Sequence, residues 1–319
     1  MRLGTNPEKH ESLIEIESYH RVVIPVYIPN LADSYFKDGL RIFKLCVESL
    51  LLTIHDKTRI SIINNGCCNE VNSYLDDLYK KNECVDQLLY SKKNLGKVNA
   101  IYSAVKSNLE PLITIADADV MFLPHWQKEV ENVFVNFPQA GMVSPVPSIG
   151  SLKGSFLRST IGFAFFNRTP KYEKVKNING INKFLKSIGK DTIEDKEKAK
   201  YYTVQGSNLK AVLGCGHFMA TIRSEVFKYA PSAICEHKIV GGSENKYIDE
   251  PNDKGGFLKL STLDNFGFHL GNTYQSWMNT ELSNIKKISF CEETTIIPKV
   301  KPRKIYFYLG YLIQKLFIR

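Results

Sequence analysis

Two aspartates, Asp117 and Asp119, stand one residue apart in the run Pro111-Leu-Ile-Thr-Ile-Ala-Asp-Ala-Asp-Val-Met-Phe-Leu-Pro124. The residues ahead of them are apolar and β-prone, so the run reads as a strand that emerges into two carboxylates. Residues i and i+2 of a strand point to the same side, which aims both carboxylates into one crevice. Such a pair can hold a divalent cation, and the cation can hold a diphosphate. Mg²⁺ is bound in this way, by one or two carboxylates together with phosphate oxygens. Asp-x-Asp is common, and its ordinary meaning is a solvated turn after a strand. What gives it weight here is the order of elements around it.

Arg21-Val-Val-Ile-Pro-Val-Tyr27 reads as a buried strand. From Phe36 to Ile54, apolar residues fall at Phe36, Leu40, Phe43, Val47, Leu50, Leu51 and Ile54, a helical spacing. Arg59–Ile63 is a second strand and runs into the polar turn Asn64-Asn65-Gly66. Asn69 is expected to cap a helix with Val71, Tyr74, Leu75 and Leu78 on one face. Val85 to Tyr90 is a third strand. Asn94-Leu-Gly-Lys97 opens a third helix, with Val98, Ile101 and Val105 on one stripe. The Asp-x-Asp strand comes fourth. Strands alternating with helices imply an α/β fold with a parallel sheet and helices on both faces. Ligands of such sheets sit at the carboxyl ends of the strands. Tyr27, Asn64, Lys97, Asp117 and Asp119 all fall at or just beyond those ends.

In their order and spacing, four segments resemble the nucleotide-sugar-dependent glycosyltransferases of the GT-A fold, most of all the family-2 group of inverting enzymes. Val22-Val-Ile-Pro-Val-Tyr27 is similar to that family's opening strand. Ile63-Asn-Asn-Gly-Cys67 sits where the family has Val-Asp-Asp-Gly-Ser, so Asn64 takes the place of an aspartate that contacts the nucleoside. Asn94-Leu-Gly-Lys-Val-Asn-Ala100 is similar to the Asn-x-Gly-Lys-x-x-Ala helix start, and Asp117-Ala-Asp119 to the Asp-x-Asp. The resemblance is strongest over residues 21–125. Farther on, Gly214-Cys-Gly-His-Phe-Met-Ala-Thr-Ile-Arg-Ser-Glu-Val-Phe227 resembles a glycine-containing strand followed by an Arg-x-Glu-Val helix. The family places a catalytic Glu-Asp pair eleven residues before a glycine. Counting back eleven from Gly255 reaches Glu244, with Ser243 where the glutamate would be. The resemblance thus makes Glu244 the expected base and Asp249 the alternative. Phe266-Gly-Phe-His-Leu-Gly-Asn272 is similar to the histidine segment that completes many GT-A metal sites, which makes His269 a third ligand.

The resemblance implies a Rossmann-like, mostly parallel GT-A sheet. It implies Mn²⁺ or Mg²⁺ held by Asp119 with Asp117 and His269. Pro25, Tyr27, Asn64, Asn94, Lys97 and Asp117 would line the nucleotide-sugar site. The expected reaction moves a sugar from a nucleotide diphosphate sugar, UDP being the expected carrier, to a hydroxyl of a glycan or lipid-linked acceptor. Inversion and a role in bacterial surface polysaccharide synthesis come with it. The altered Glu-Asp pair keeps a second class in view, a non-catalytic binding module of the same fold; a scaffold protein at a membrane surface is a third. A nucleotidyltransferase needs a glycine-rich phosphate loop and a dehydrogenase needs Gly-x-Gly-x-x-Gly. Ile24-Pro-Val-Tyr-Ile-Pro-Asn30 has neither.

With 319 residues, 43% of them hydrophobic, the chain can bury a large core. The expected organisation is a tail (1–20), a nucleotide-sugar-binding half (21–125), an acceptor-binding half of the same catalytic domain (126–297) and a basic aromatic tail (298–319). Lys171 to Lys200 is rich in Lys, Glu and Asp and reads as an exposed excursion over the acceptor site, with a short helical pattern from Ile181 to Ile188. Seven cysteines without a Cys-x-x-Cys spacing suggest reduced thiols. Residues 1–20 are polar and mixed in charge, without a secretory pattern, and Asn167-Arg-Thr169 is an isolated glycosylation triplet. The net charge is +9, and no acidic residue follows Glu293. A membrane span takes about 20 apolar residues, more than the interrupted tail offers. Basic at its edges and aromatic between, the tail suits a helix in the membrane interface, against a helix packed on the protein's own surface or an oligomer contact. No groove-reading motif accompanies the charge, so nucleic acid is not an expected partner. The expectation is a cytoplasmic protein, free or peripheral at the inner face of the cell membrane.

Overall fold

Alternate residues of the first strand enter different cores. Val22, Ile24 and Val26 pack with Phe43, Val47, Leu50 and Leu75, whereas Val23 packs with Ala100, Ile101 and Ala104. A strand buried on both faces needs an unbroken apolar run rather than an alternating one, and Val22-Val23-Ile24 supplies it. The computed structural model describes the chain apart from residues 1–2, 7–8, 10–12, 150–151, 153, 168–169, 196, 240–241, 287–294, 300–301 and 318–319. The glycosylation triplet therefore lies partly outside the described residues.

The first part of the chain reads β1 (His20–Val26), α1 (Gly39–Thr53), β2 (Thr58–Asn65), α2 (Asn69–Lys81), β3 (Gln87–Ser91), α3 (Lys97–Val105), β4 (Leu112–Ala116), β5 (Val120–Phe122), α4 (Trp126–Asn136) and β6 (Ala140–Ser144). There follow α5 (Arg158–Asn167), β7 (Lys171–Lys174), α6 (Ile178–Ser187), β8 (Lys200–Gln205), β9 (Lys210–Leu213) and β10 (Met219–Arg223). A π-helical segment (Asn245–Asp249) leads into α7 (Glu250–Lys254), β11 (Leu258–Ser261), β12 (Gly267–His269), α8 (Ser276–Asn284) and α9 (Ile305–Phe317).

Among the described residues, ten strands form one sheet in the order β3-β2-β1-β4-β10-β6-β11-β9-β8-β7. The β3-β2-β1-β4 block is wholly parallel. Beyond it β10, β9 and β7 run against β1, so seven of the ten strands share one direction. The architecture is α/β with a large, mostly parallel central sheet flanked by helices. Several expected boundaries move. The first helix begins at Gly39 rather than Phe36, and the third strand at Gln87 rather than Val85. Asn69 is the first residue of α2 and makes no side-chain cap.

One expectation for the second half needs correction. Lys171–Lys200 is not an excursion: it contributes edge strand β7 and helix α6, whose Ile181 and Leu185 are buried. Its charges ride the outer side of an amphipathic segment, and the helical pattern read from Ile181 to Ile188 falls on α6. The tail carries α9, which packs on the protein's own surface. Tyr306 of α9 enters the core formed by α4, α5 and β11. The two helices touch backbone to backbone, Gly162 against the Tyr306 carbonyl and Gly310 against the Arg158 carbonyl. Only glycine permits so close an approach, because any Cβ would collide with main chain that cannot swing away.

Gly310→Leu should therefore lower the melting temperature by several degrees, since overpacking costs about 1–3 kcal/mol. Thermal unfolding followed by circular dichroism checks this. An unchanged transition would mean that α9 is not docked on α5.

Candidate active site

The grouping of Asp117, Asp119 and His269 arises from a turn. β4 ends at Ala116, and Asp117–Asp119 bends between β4 and β5. The two carboxylates therefore converge by loop geometry, not by the two-residue repeat of a strand. The turn is pinned from both sides: the Asp117 amide donates to the Phe218 carbonyl (2.9 Å) and the Leu270 amide to the Asp119 carbonyl (2.7 Å). β12 pairs antiparallel with β5, placing His269 opposite Val120. That register brings His269 Nε2 to 3.5 Å from Asp119 Oδ2. The other ring nitrogen, Nδ1, bonds Ser187 Oγ at 2.9 Å, and Phe184 and Phe218 meet the imidazole edge-on. An orienting partner on the second nitrogen is the usual support of a metal-bound histidine. One ligand atom from each of Asp117, Asp119 and His269 falls within 4.8 Å of the others. Two carboxylates with one imidazole suit Mn²⁺ and also accept Mg²⁺. Burial pushes the Asp119 carboxyl up to about 6, with His269 pulling the other way and Asp117 adding to the rise. A cation at this point would favour the ionised form.

Pro25, Tyr27, Asn94, Lys97, Asp117, Asp119, Glu244 and His269 line one cleft of about 530 Å³ at the carboxyl ends of the parallel strands. Asn64 is not among them. It is buried, accepting from the Cys67 amide (3.0 Å) and donating to Asn72 Oδ1 (2.6 Å). Its neighbour Asn65 faces the cleft, bonded to Asn94 Oδ1 (3.0 Å) and to the Leu95 amide (2.8 Å). Adjacent strand residues point to opposite sides. Almost every residue of β2 is buried, so hydrophobicity gives no sign of which asparagine faces which way. Tyr35, Ser187, Ile239 and Asn272 also border the cleft. No motif marks Tyr35, Ser187 or Ile239, which arrive from separate elements, whereas Asn272 closes the histidine segment.

Lys97 stands at the start of α3, after Gly96, which has φ of 85° and lies against the His237 carbonyl. Its Nζ is 2.5 Å from Asp117 Oδ1 and 2.6 Å from Glu244 Oε1. Burial alone would weaken its charge, but the two carboxylates hold it well above the ordinary lysine range. Asp249 is placed differently. Only 2% exposed, it pairs with Lys259 Nζ at 2.5 Å through Oδ1 and with His217 Nδ1 at 3.3 Å through Oδ2. Burial pushes its carboxyl up, but Lys259 and His217 more than offset this and keep it below the usual range. Asp249 is thus held in an internal ion pair and does not reach the cleft. Glu244 does.

A second group, His20, His55 and Glu131, lies at the far end of β1. Glu131 Oε1 is 3.0 Å from His20 Nδ1 and 3.1 Å from His55 Nε2, and Oε2 accepts from Tyr19 (3.0 Å). His20 Nε2 meets Thr114 Oγ1 at 2.7 Å and His55 Nδ1 meets Thr58 Oγ1 at 3.2 Å. The network is complete without an ion. Its hydrogen bonds overcome burial and pull the Glu131 carboxyl down to about 2.

No protein-family model matches this sequence, and no curated protein matches it. Among solved structures the chain is similar to the mannosyltransferase PcManGT of Pyrobaculum calidifontis in complex with GDP-Man and Mn²⁺. The TM-score is 0.43 at 11% identity, covering 77% of this chain and 55% of that one. It is similar to S. aureus TarS residues 1–349 in complex with UDP-GlcNAc, with TM-score 0.42, 10% identity and 82% and 60% covered. It is similar to GalNAc-T7 with UDP, GalNAc and Mn²⁺, with TM-score 0.46, 13% identity and 78% and 43% covered. These neighbours are GT-A type glycosyltransferases. The chain spans less than two thirds of each. Likeness this shallow carries no functional assignment by itself.

The buried Asp249–Lys259 pair yields a stability test. Lys259→Met removes the main countercharge of a carboxylate that stays buried, which costs about 3–5 kcal/mol. Denaturant unfolding should show that loss, and wild-type stability would contradict the pairing.

Proposed function

We propose that the protein is a GT-A glycosyltransferase that moves a sugar from a nucleotide diphosphate sugar to a hydroxyl of a glycan or lipid-linked acceptor. The observation that carries this reading is the convergence of Asp117, Asp119 and His269 beside Lys97 and Glu244 in one cleft. A cluster able to hold a divalent cation, a buried ammonium and a lone carboxylate are what a diphosphate leaving group and an incoming hydroxyl require. Mn²⁺ or Mg²⁺ on Asp117, Asp119 and His269 would supply a Lewis acid for the charge on the departing diphosphate. Lys97 offers a second positive charge to the same phosphates. Tyr27, with Pro25, Asn65 and Asn94, borders the nucleoside end. Glu244 takes the acceptor hydroxyl's proton as the new bond to the anomeric carbon forms and the bond to the diphosphate oxygen breaks. Attack opposite the leaving group inverts that carbon. Inversion, a UDP carrier and a place in bacterial surface polysaccharide synthesis follow from the resemblance to family-2 enzymes over residues 21–125. Residues 126–297 would carry the acceptor side.

Glu244→Gln keeps size and hydrogen bonding but accepts no proton. Turnover should fall by about 10²- to 10⁴-fold with nucleotide affinity little changed. Asp119→Ala should abolish both Mn²⁺ binding by calorimetry and sugar transfer. Full transfer by Asp119→Ala in the presence of a chelator would end the metal assignment. Nucleotide-sugar binding without turnover by the wild type would instead favour a binding module.

A further observation concerns location. One face of α9 packs on α5, and on the opposite side Ile305, Tyr308, Leu312 and Leu316 are 56%, 63%, 51% and 64% exposed. Their spacing is that of a single helical stripe, with Lys304 and Lys315 beside it. No helix among the described residues is long and apolar enough to cross a membrane. This stripe supports peripheral contact with an anionic lipid surface. Because Tyr306 belongs to the core, truncation is the wrong probe. The double substitution Tyr308→Ser with Leu312→Ser should weaken binding to phosphatidylserine vesicles and spare transfer to a soluble acceptor. Unchanged vesicle binding would withdraw the membrane reading.

A further inference from the structure

His217 was named in no role by the sequence, and it does not line the cleft. It sits in the loop between β9 and β10, directly behind Glu244. Its Nε2 is 3.7 Å from Glu244 Oε2, and its Nδ1 is 3.3 Å from Asp249 Oδ2. One imidazole can meet both acids because of the π-helical segment. In an α-helix of 3.6 residues per turn, positions five apart point to different sides. Here the Glu250 amide bonds the Asn245 carbonyl, an i→i+5 closure. The widened turn brings Glu244 and Asp249 towards one line. Such π segments occur often at functional sites.

The charged groups facing His217 form one row. Lys97 of α3 lies beyond Glu244, with Asp117 on its far side, and Lys259 of β11 lies beyond Asp249. Cations and anions alternate along the whole row. Asp249, fixed by Lys259, orients the imidazole, and the hydrogen bond to Asp249 holds His217 above the ordinary histidine range in spite of burial. Lys97 is the other cation touching Glu244, and it lines the cleft that an incoming diphosphate would enter. Without a second cation, Glu244 would lose its partner when the donor binds.

We infer that His217 is the positioning residue of Glu244: anchored by Asp249, it holds the carboxylate in place and aimed into the cleft once the donor draws Lys97 away. This rests on the assignment of Glu244 as the base. His217 does not itself line the cleft and meets it only through Glu244.

The test compares His217→Ala, His217→Gln and Glu244→Gln, each with melting temperature and Mn²⁺ affinity measured alongside. His217→Ala should lower kcat about tenfold to a hundredfold and leave the donor KM within about threefold, because it acts only through the proton-accepting group. The acid limb of its kcat–pH profile should move to higher pH, since removing a cation disfavours a neighbouring ionised carboxylate. Added imidazole should restore part of the His217→Ala rate, because the position is partly open to solvent. His217→Gln, which nearly preserves volume but carries no charge, should show the same limb shift; it remains informative if the alanine variant folds poorly. Wild-type kcat and an unshifted limb in His217→Gln would overturn the positioning role. The parent reading fails separately, if Glu244→Gln itself turns over at the wild-type rate.

Discussion

One ammonium group holds the cleft together. Lys97 Nζ lies within 2.6 Å of carboxylates from two distant parts of the chain, Asp117 of the turn after β4 and Glu244 ahead of the π-helical segment. Without that cation, two acids would face each other across a partly desolvated pocket, where like charges disfavour ionisation. With it, the first half of the sheet and the elements after β10 share a single electrostatic centre. The placement follows from backbone constraints. Gly96 must adopt positive φ and pass close to the His237 carbonyl for α3 to start where it does, and the Lys97 amide then bonds the Lys238 carbonyl (3.0 Å). The Asn-x-Gly-Lys segment is thus a device for delivering one charge.

The remaining charges are graded by burial. Asp249 and Lys259 are both nearly inaccessible and neutralise each other. Lys97, Asp117, Glu244 and Asp119 keep some exposure, and they are the groups a ligand could reach. An interior pair lends rigidity and geometry, because breaking it strands a charge. A pair at the cleft wall can exchange partners when an anion arrives. The row Asp117–Lys97–Glu244–His217–Asp249–Lys259 passes from one regime to the other, and Glu244 sits where the change occurs.

Much of this was legible in the sequence, for definable reasons. The β3-β2-β1-β4 block was readable because its strands are continuous apolar runs separated by helices with clear spacing. Lys97, Asp117 and Asp119 were readable because they flank such elements, Lys97 opening α3 and the two aspartates following β4. The choice between Asn64 and Asn65 was not, since both lie in a strand buried on both faces, where side cannot be inferred from polarity. Glu244 was singled out only by counting from a glycine, with Asp249 as its rival, and no sequence pattern tells that Asp249 is buried against Lys259 while Glu244 lines the cleft. His217 gave no signal, because its role depends on an i→i+5 turn that no sequence pattern announces. The docking of α9 depends on Gly162 and Gly310, two glycines whose close backbone contacts no sequence pattern announces.

The central claim is that this cleft breaks a sugar–diphosphate bond with the help of a divalent cation. The most direct measurement is nucleoside diphosphate release from a panel of UDP-, GDP- and dTDP-sugars, with Mn²⁺ or with EDTA, and with or without lipid-linked and soluble glycan acceptors. The account predicts release from a narrow subset of donors, accelerated by acceptor and abolished by EDTA. Release that is indifferent to EDTA, or no release from any donor under conditions where the folded protein binds Mn²⁺, would contradict it.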